Sequence, residues 1–163
     1  MKPATDFQIE IINNQNIISI DQAYLLTLTK SILQLLKRNR ATLNILIVDN
    51  KAIHEINNQF LEHDFPTDVI TFPMNDDSLL SEQQSLEGEI VISAEMAKET
   101  AETVGWSEVN ELSLYLIHAL LHLCGYDDLN EQDQILMRKK EKEVLIATNI
   151  SPQPNDSRWN NLK

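Results

Sequence analysis

His118 and His122, followed by Gly125 and Asp128, restrict the architecture of this chain more than any other segment. The stretch 118–128 reads His-Ala-Leu-Leu-His-Leu-Cys-Gly-Tyr-Asp-Asp. On a helix, side chains four apart lie on one face, about 40° apart around the axis, so both imidazoles can reach one ion. Continuing the helix would carry later side chains away. Gly125 removes that difficulty, because glycine adopts the left-handed conformation that ends a helix and turns the chain back. Asp128 then falls within reach of the same ion. Without the glycine and the carboxylate, two histidines at this spacing are equally well read as packed or exposed.

The donor set His118, His122 and Asp128 has a definite chemistry. Two histidines and one carboxylate leave a tetrahedral position open for water, the arrangement of catalytic rather than structural zinc. Zn2+ is therefore the expected cofactor, although such a site also accepts other divalent ions. Bound zinc brings the pKa of water towards neutrality.

The rest of the chain supplies a frame for that helix. Residues 7–12 read as a strand, with alternation over the first five. Asp21 is a good N-cap residue, and Leu25, Leu26, Leu28, Ile32, Leu35 and Leu36 follow at helical spacing. The basic cluster Lys37, Arg38 and Arg40 suits a helix C-terminus. Residues 42–48 read as a buried strand, 51–61 as a short helix, 67–73 as a strand bracketed by prolines, and 89–93 as a further strand. Pro66 closes the loop before the third strand, and residues 75–87 read as an exposed polar loop. Helices are predicted over about 94–104, 108–124 and 130–148, on caps and apolar periodicity. Strands mixed with helices over this length predict one domain, α+β or α/β, with helices packed on one sheet. The domain is expected to span 1–150, with 151–163 a flexible polar tail.

Composition narrows the function. The formal net charge is −12, whereas nucleic-acid binding through the whole surface calls for a basic protein. Any RNA contact must come from a local basic patch or from the metal. No apolar run approaches the roughly 20 residues that cross a bilayer, and the N-terminus lacks the apolar block of a secretory signal. Cys124 is the single cysteine, so no internal disulfide forms. A cytoplasmic protein with no membrane partner is the expectation.

The same His-x3-His-x2-Gly spacing occurs in metzincin peptidases, where a glutamate directly after the first histidine is the general base. Here that position is Ala119, which argues against a protease. Asp127 is the nearby carboxylate able to serve as catalytic base. It reads equally well as an orienter of a ligand histidine or as a solvated turn residue. Cys124, two residues past His122, faces away from the metal and reads as a small core residue. His54 and His63 read as ordinary packed or exposed histidines. Arg138, Lys139, Lys140 and Lys142 alternate with Glu141 and Glu143, the pattern of a solvated helix face.

Several separated motifs resemble one family in order. They are Asn57–Phe60 (Asn-Asn-Gln-Phe), Pro66–Pro73 (Pro-Thr-Asp-Val-Ile-Thr-Phe-Pro), Gly88–Ser93 (Gly-Glu-Ile-Val-Ile-Ser), Glu111-Leu112, and the segment His118–Asp128. Over roughly residues 40–145 the chain resembles the YbeY family of metal-dependent endoribonucleases, which act in ribosomal RNA maturation. The resemblance implies an α+β fold with one mixed β-sheet covered by helices, and zinc as the metal. It implies a single-strand-acting endoribonuclease whose partners are ribosomal RNA precursor and ribosomal particles. It also suggests that Thr67 and Asp68 line the cleft, where the residues alone favour the start of a strand.

Three positions depart from the family pattern. Asp128 stands where the family usually has a third histidine, Ala119 where glycine is common, and Leu61 where an arginine assists with RNA phosphate. Leucine cannot stabilise developing phosphoryl charge. Two alternatives follow: a metallohydrolase of a peptide or small ester, and a non-catalytic ribosome-associated factor that keeps its metal for stability. The oligomeric state is not legible in the sequence.

Overall fold

The computed structural model describes residues 4–63, 67–74, 85–160 and 162. Pro66 and residues 75–84, read from the sequence as loop, lie outside them. The elements run β1 (Asp6–Asn13), α1 (Gln22–Leu35), β2 (Arg40–Val48), α2 (Asn50–Leu61), β3 (Val69–Pro73), β4 (Leu86–Ser93), α3 (Ala94–Val104), α4 (Glu108–Leu123) and α5 (Glu131–Ala147). Leu86 and Glu87, expected in the polar loop, instead open β4 and pair with Ala41 and Thr42.

One four-stranded sheet has the order β1-β2-β4-β3. β1, β2 and β4 are parallel, and β3 is an antiparallel edge. The domain is therefore the mixed α+β sheet under helices that the resemblance implied. Parallel neighbours need a crossover, which α1 provides between β1 and β2.

The period-two pattern of a strand divides the sheet's two faces. Leu43, Ile45 and Ile47 of β2 join Ile90 and Ile92 of β4 in the main core. Val48 and Val91 face the other way and meet Ile53 of α2 and Ile70 of β3 in a smaller cluster. Helix α4 fills the centre of the main core. Leu112, Leu114, Leu116, Ile117, Ala119, Leu120, Leu121 and Leu123 are all buried, so it is apolar almost all round, as a central helix must be. At its C-terminal end β4 comes close: a Cβ on Gly88 would stand 3.0 Å from a Leu123 methyl and 3.1 Å from the Phe72 carbonyl oxygen.

Two stretches differ from a plain reading of composition. Arg38 does not sit on the last turn of α1 as a solvated cation. It follows a left-handed Lys37 and is buried, with its charge beside Cys124. The polar stretch after Ile150 includes a short 3-10 turn, Ser157–Trp159, with Asp156 and Trp159 buried. Arg158 makes a two-pronged ion pair with Glu111 of α4 (2.7 and 2.8 Å) and bonds Asp156 as well. Burial alone would push the Asp156 carboxyl up, but the hydrogen bonds from Arg158 outweigh it and hold that carboxyl below the usual range.

Candidate metal centre

The end of α4 makes the site. Ser107 caps its start by accepting from the Asn110 amide. At its close, the Gly125 amide donates to the His122 carbonyl (3.0 Å) and the Tyr126 amide to the Leu121 carbonyl (3.0 Å). This is the paired-bond ending that a left-handed residue permits, and Gly125 has φ +99°. The chain then turns back, as the glycine implied. Gln134 of α5 steadies the returning loop by donating to the Asp128 carbonyl (3.1 Å).

His118, His122 and Asp128 come together. The two Nε2 atoms are 3.1 Å apart, and Asp128 Oδ2 lies 3.5 Å from His118 Nε2 and 3.4 Å from His122 Nε2. A tetrahedral ion with bonds of about 2.0–2.1 Å holds its ligand atoms about 3.3 Å apart. The three donors thus already stand at the spacing of one tetrahedral face, and they are a group able to hold a metal ion. The rings meet edge to face at 84°, so each presents its nitrogen to the shared point without stacking on the other.

A fully buried glutamate completes this arrangement. Glu141 of α5 is 0% exposed. Its Oε2 lies 3.0 Å from His118 Nδ1, and its Oε1 accepts from Arg138 Nη1 at 2.9 Å. A carboxylate on Nδ1 favours the proton there, which leaves the Nε2 lone pair available to an ion. The sequence reading placed Glu141 on a solvated helix face. The correction is tertiary: α5 lies against α4, and the position facing His118 is the one that is buried.

Asp127 is exposed. Its Oδ1 accepts from the Asp128 amide (2.9 Å), which sharpens the turn, and it borders a depression of about 480 Å3 shared with His122, Thr71 and Tyr126. At His118 the orienting carboxylate is Glu141, not Asp127. Cys124 is half-buried, and burial pushes its thiol up against the pull of Arg38.

A cleft of about 390 Å3 opens from His118, His122 and Asp128 towards α2 and β3. Leu61 lines it, and so do Thr67 and Asp68, as the resemblance suggested. Asp68 also begins the strand, accepting from the Val69 amide at 2.8 Å, so both readings of that residue hold. His63 lines the same cleft, which its sequence context gave no means to foresee.

The chain is similar to known proteins over most of its length. A family model described as "Endoribonuclease YbeY" matches residues 10–149. The "Endoribonuclease YbeY" of Carboxydothermus hydrogenoformans is 35% identical over 143 residues, covering 86% of this chain and 97% of that protein. The protein of the same description from a Sulfurovum species is 38% identical over 137 residues, covering 82% of this chain and 86% of the relative. A solution structure from Thermotoga maritima shares the fold with a TM-score of 0.57 at 24% identity, over 91% of this chain and 99% of that one.

Proposed function

The chain belongs to the YbeY family of endoribonucleases, and from that premise we propose that it is a zinc-dependent, single-strand-acting endoribonuclease of ribosomal RNA maturation. The observation that carries the metal reading is the spacing of the three donors, 3.1 to 3.5 Å apart. His118 and His122 would hold the ion through Nε2 and Asp128 through Oδ2. Zinc, when bound, makes hydroxide available near neutral pH and polarises a phosphoryl oxygen.

The protein's own residues do the rest. Glu141 keeps the His118 ring in the ligating tautomer and fixes its plane. Asp127 is exposed beside His122 and is the carboxylate assigned to take a proton from the attacking water. The cleft along Leu61, His63 and Thr67 receives the strand next to the scissile phosphate. Leu61 leaves that cleft without the guanidinium its family usually places there, so Leu61→Arg should raise the cleavage rate. The substrate is ribosomal RNA precursor and the setting ribosomal particles. The cytoplasm is the proposed compartment, in keeping with a fold that uses no disulfide. No helix among the described residues is long and apolar enough to cross a membrane.

The test is cleavage of single-stranded and structured RNA by zinc-loaded protein beside His118→Ala. Internal cuts in single-stranded RNA that vanish in the variant support the reading. Intact RNA with zinc bound would move a non-catalytic ribosome-associated role to the front. Turnover of peptides lost in His118→Ala would point to a different metallohydrolase.

A further inference from the structure

Two of the chain's four arginines, Arg138 and Arg158, line a groove of about 470 Å3 that starts at the metal centre. His118 and Asp128 form its near end, and the groove continues past α5 to Asn160 and Leu162 of the C-terminal segment. The same two metal donors also border the Leu61 cleft. Both depressions therefore border the same centre. A strand cut internally continues in both directions from the scissile phosphate, and one arm can lie in the Leu61 cleft while the other leaves along α5.

The two arginines are not equivalent. Arg158 spends its guanidinium on Glu111 and Asp156, so two carboxylates already balance its charge and it builds the groove wall. Arg138 gives Nη1 to Glu141, while its side chain remains 34% exposed. The rest of that planar fork is the geometry that recognises phosphate. In a chain of net charge −12, a phosphate contact away from the metal needs such a local cation. Ile135 and Leu162 give the groove apolar wall against which a ribose or base can rest.

We propose that this groove is a second RNA subsite, in which Arg138 contacts a phosphate of the strand beyond the cleavage point. It rests on the nuclease reading above, and it supplies a guanidinium in a different groove from Leu61, where the family arginine is missing.

The experiment measures binding of a short fluorescent single-stranded RNA at several salt concentrations, with zinc content and cleavage followed in parallel. Arg138→Gln should weaken RNA binding about tenfold, the value of one charge-assisted hydrogen bond. It should also lower the salt slope by ~0.7, one phosphate on a single strand, with zinc content unchanged. Arg138→Lys should recover part of both. Asn160→Glu puts a negative charge on the far wall without touching Glu141 and should weaken binding in the same direction. Unchanged affinity and slope in Arg138→Gln and Asn160→Glu, with a native chain that cleaves RNA, would overturn the groove alone. So would a loss of RNA binding that merely tracks zinc loss, since Arg138 would then act only through Glu141. A zinc-loaded native chain that neither binds nor cleaves RNA would overturn the nuclease reading and the groove with it.

Discussion

Glu111 on α4 and Glu141 on α5 are both fully buried, and both meet an arginine, yet they do different work. Glu111 is closed within the protein. Its oxygens accept from both ends of the Arg158 fork and from the Trp106 indole at 2.9 Å. Glu141 is divided: one oxygen takes Arg138, at a groove, and the other takes His118, whose opposite nitrogen faces His122 and Asp128. Burying a carboxylate costs several kcal/mol unless it is paired and hydrogen-bonded, so neither residue is incidental. The difference teaches that burial and an arginine do not by themselves mark a function. What matters is whether the far side of the network ends in the core or at a reactive atom.

The largest effect expected from breaking this comparison lies at Glu111. Glu111→Ala removes the main partner of a largely buried guanidinium and should destabilise the domain by about 3–5 kcal/mol in urea unfolding. The folded fraction should bind metal as before. A loss nearer that of a surface pair, below ~1 kcal/mol, would mean that the C-terminal segment is not held as the structure has it.

Glu141→Ala should act on the metal instead, weakening its affinity about 10–100-fold, as removal of a ligand's orienting partner does. Competition with a chelator reads this directly. Glu141→Gln keeps an acceptor oxygen for Nδ1 and should recover part of the loss. Equal affinities in all three proteins would erase the distinction between the two glutamates.

A smaller, pH-dependent effect belongs to the Glu111 side. The Asp156 carboxyl is held low in the fold by Arg158, so its contribution to stability is complete above the unfolded value of about 3.9. That contribution is lost as the pH falls from there through the folded value. Trp159 emission should shift red over that acid range as the segment loosens, and Asp156→Asn should flatten the dependence. An emission profile unchanged by Asp156→Asn would assign the acid sensitivity elsewhere.

Most of the frame was legible because apolar periodicity and caps are local signals. The strands fell within a few residues of their observed ends, and the turn at Gly125 followed from one glycine's conformational freedom. Glu141 was not legible. Arg138, Lys139, Lys140, Glu141, Lys142 and Glu143 mix both signs like any solvated helix face, and only the packing of α5 on α4 decides which of them is buried. Arg158 was hidden in the same way, since its partner Glu111 lies 47 residues away and the stretch around it is polar. His63 joined the cleft through the turn after α2, where Glu62 takes a left-handed conformation that no sequence period announces.

Metal content per chain, in the native protein beside His122→Ala, tests the central claim most directly. Close to one zinc per native chain and almost none in the variant are expected, with both folded by circular dichroism. Native protein without metal, or equal metal in the two, would contradict the assignment of His118, His122 and Asp128 as the metal site.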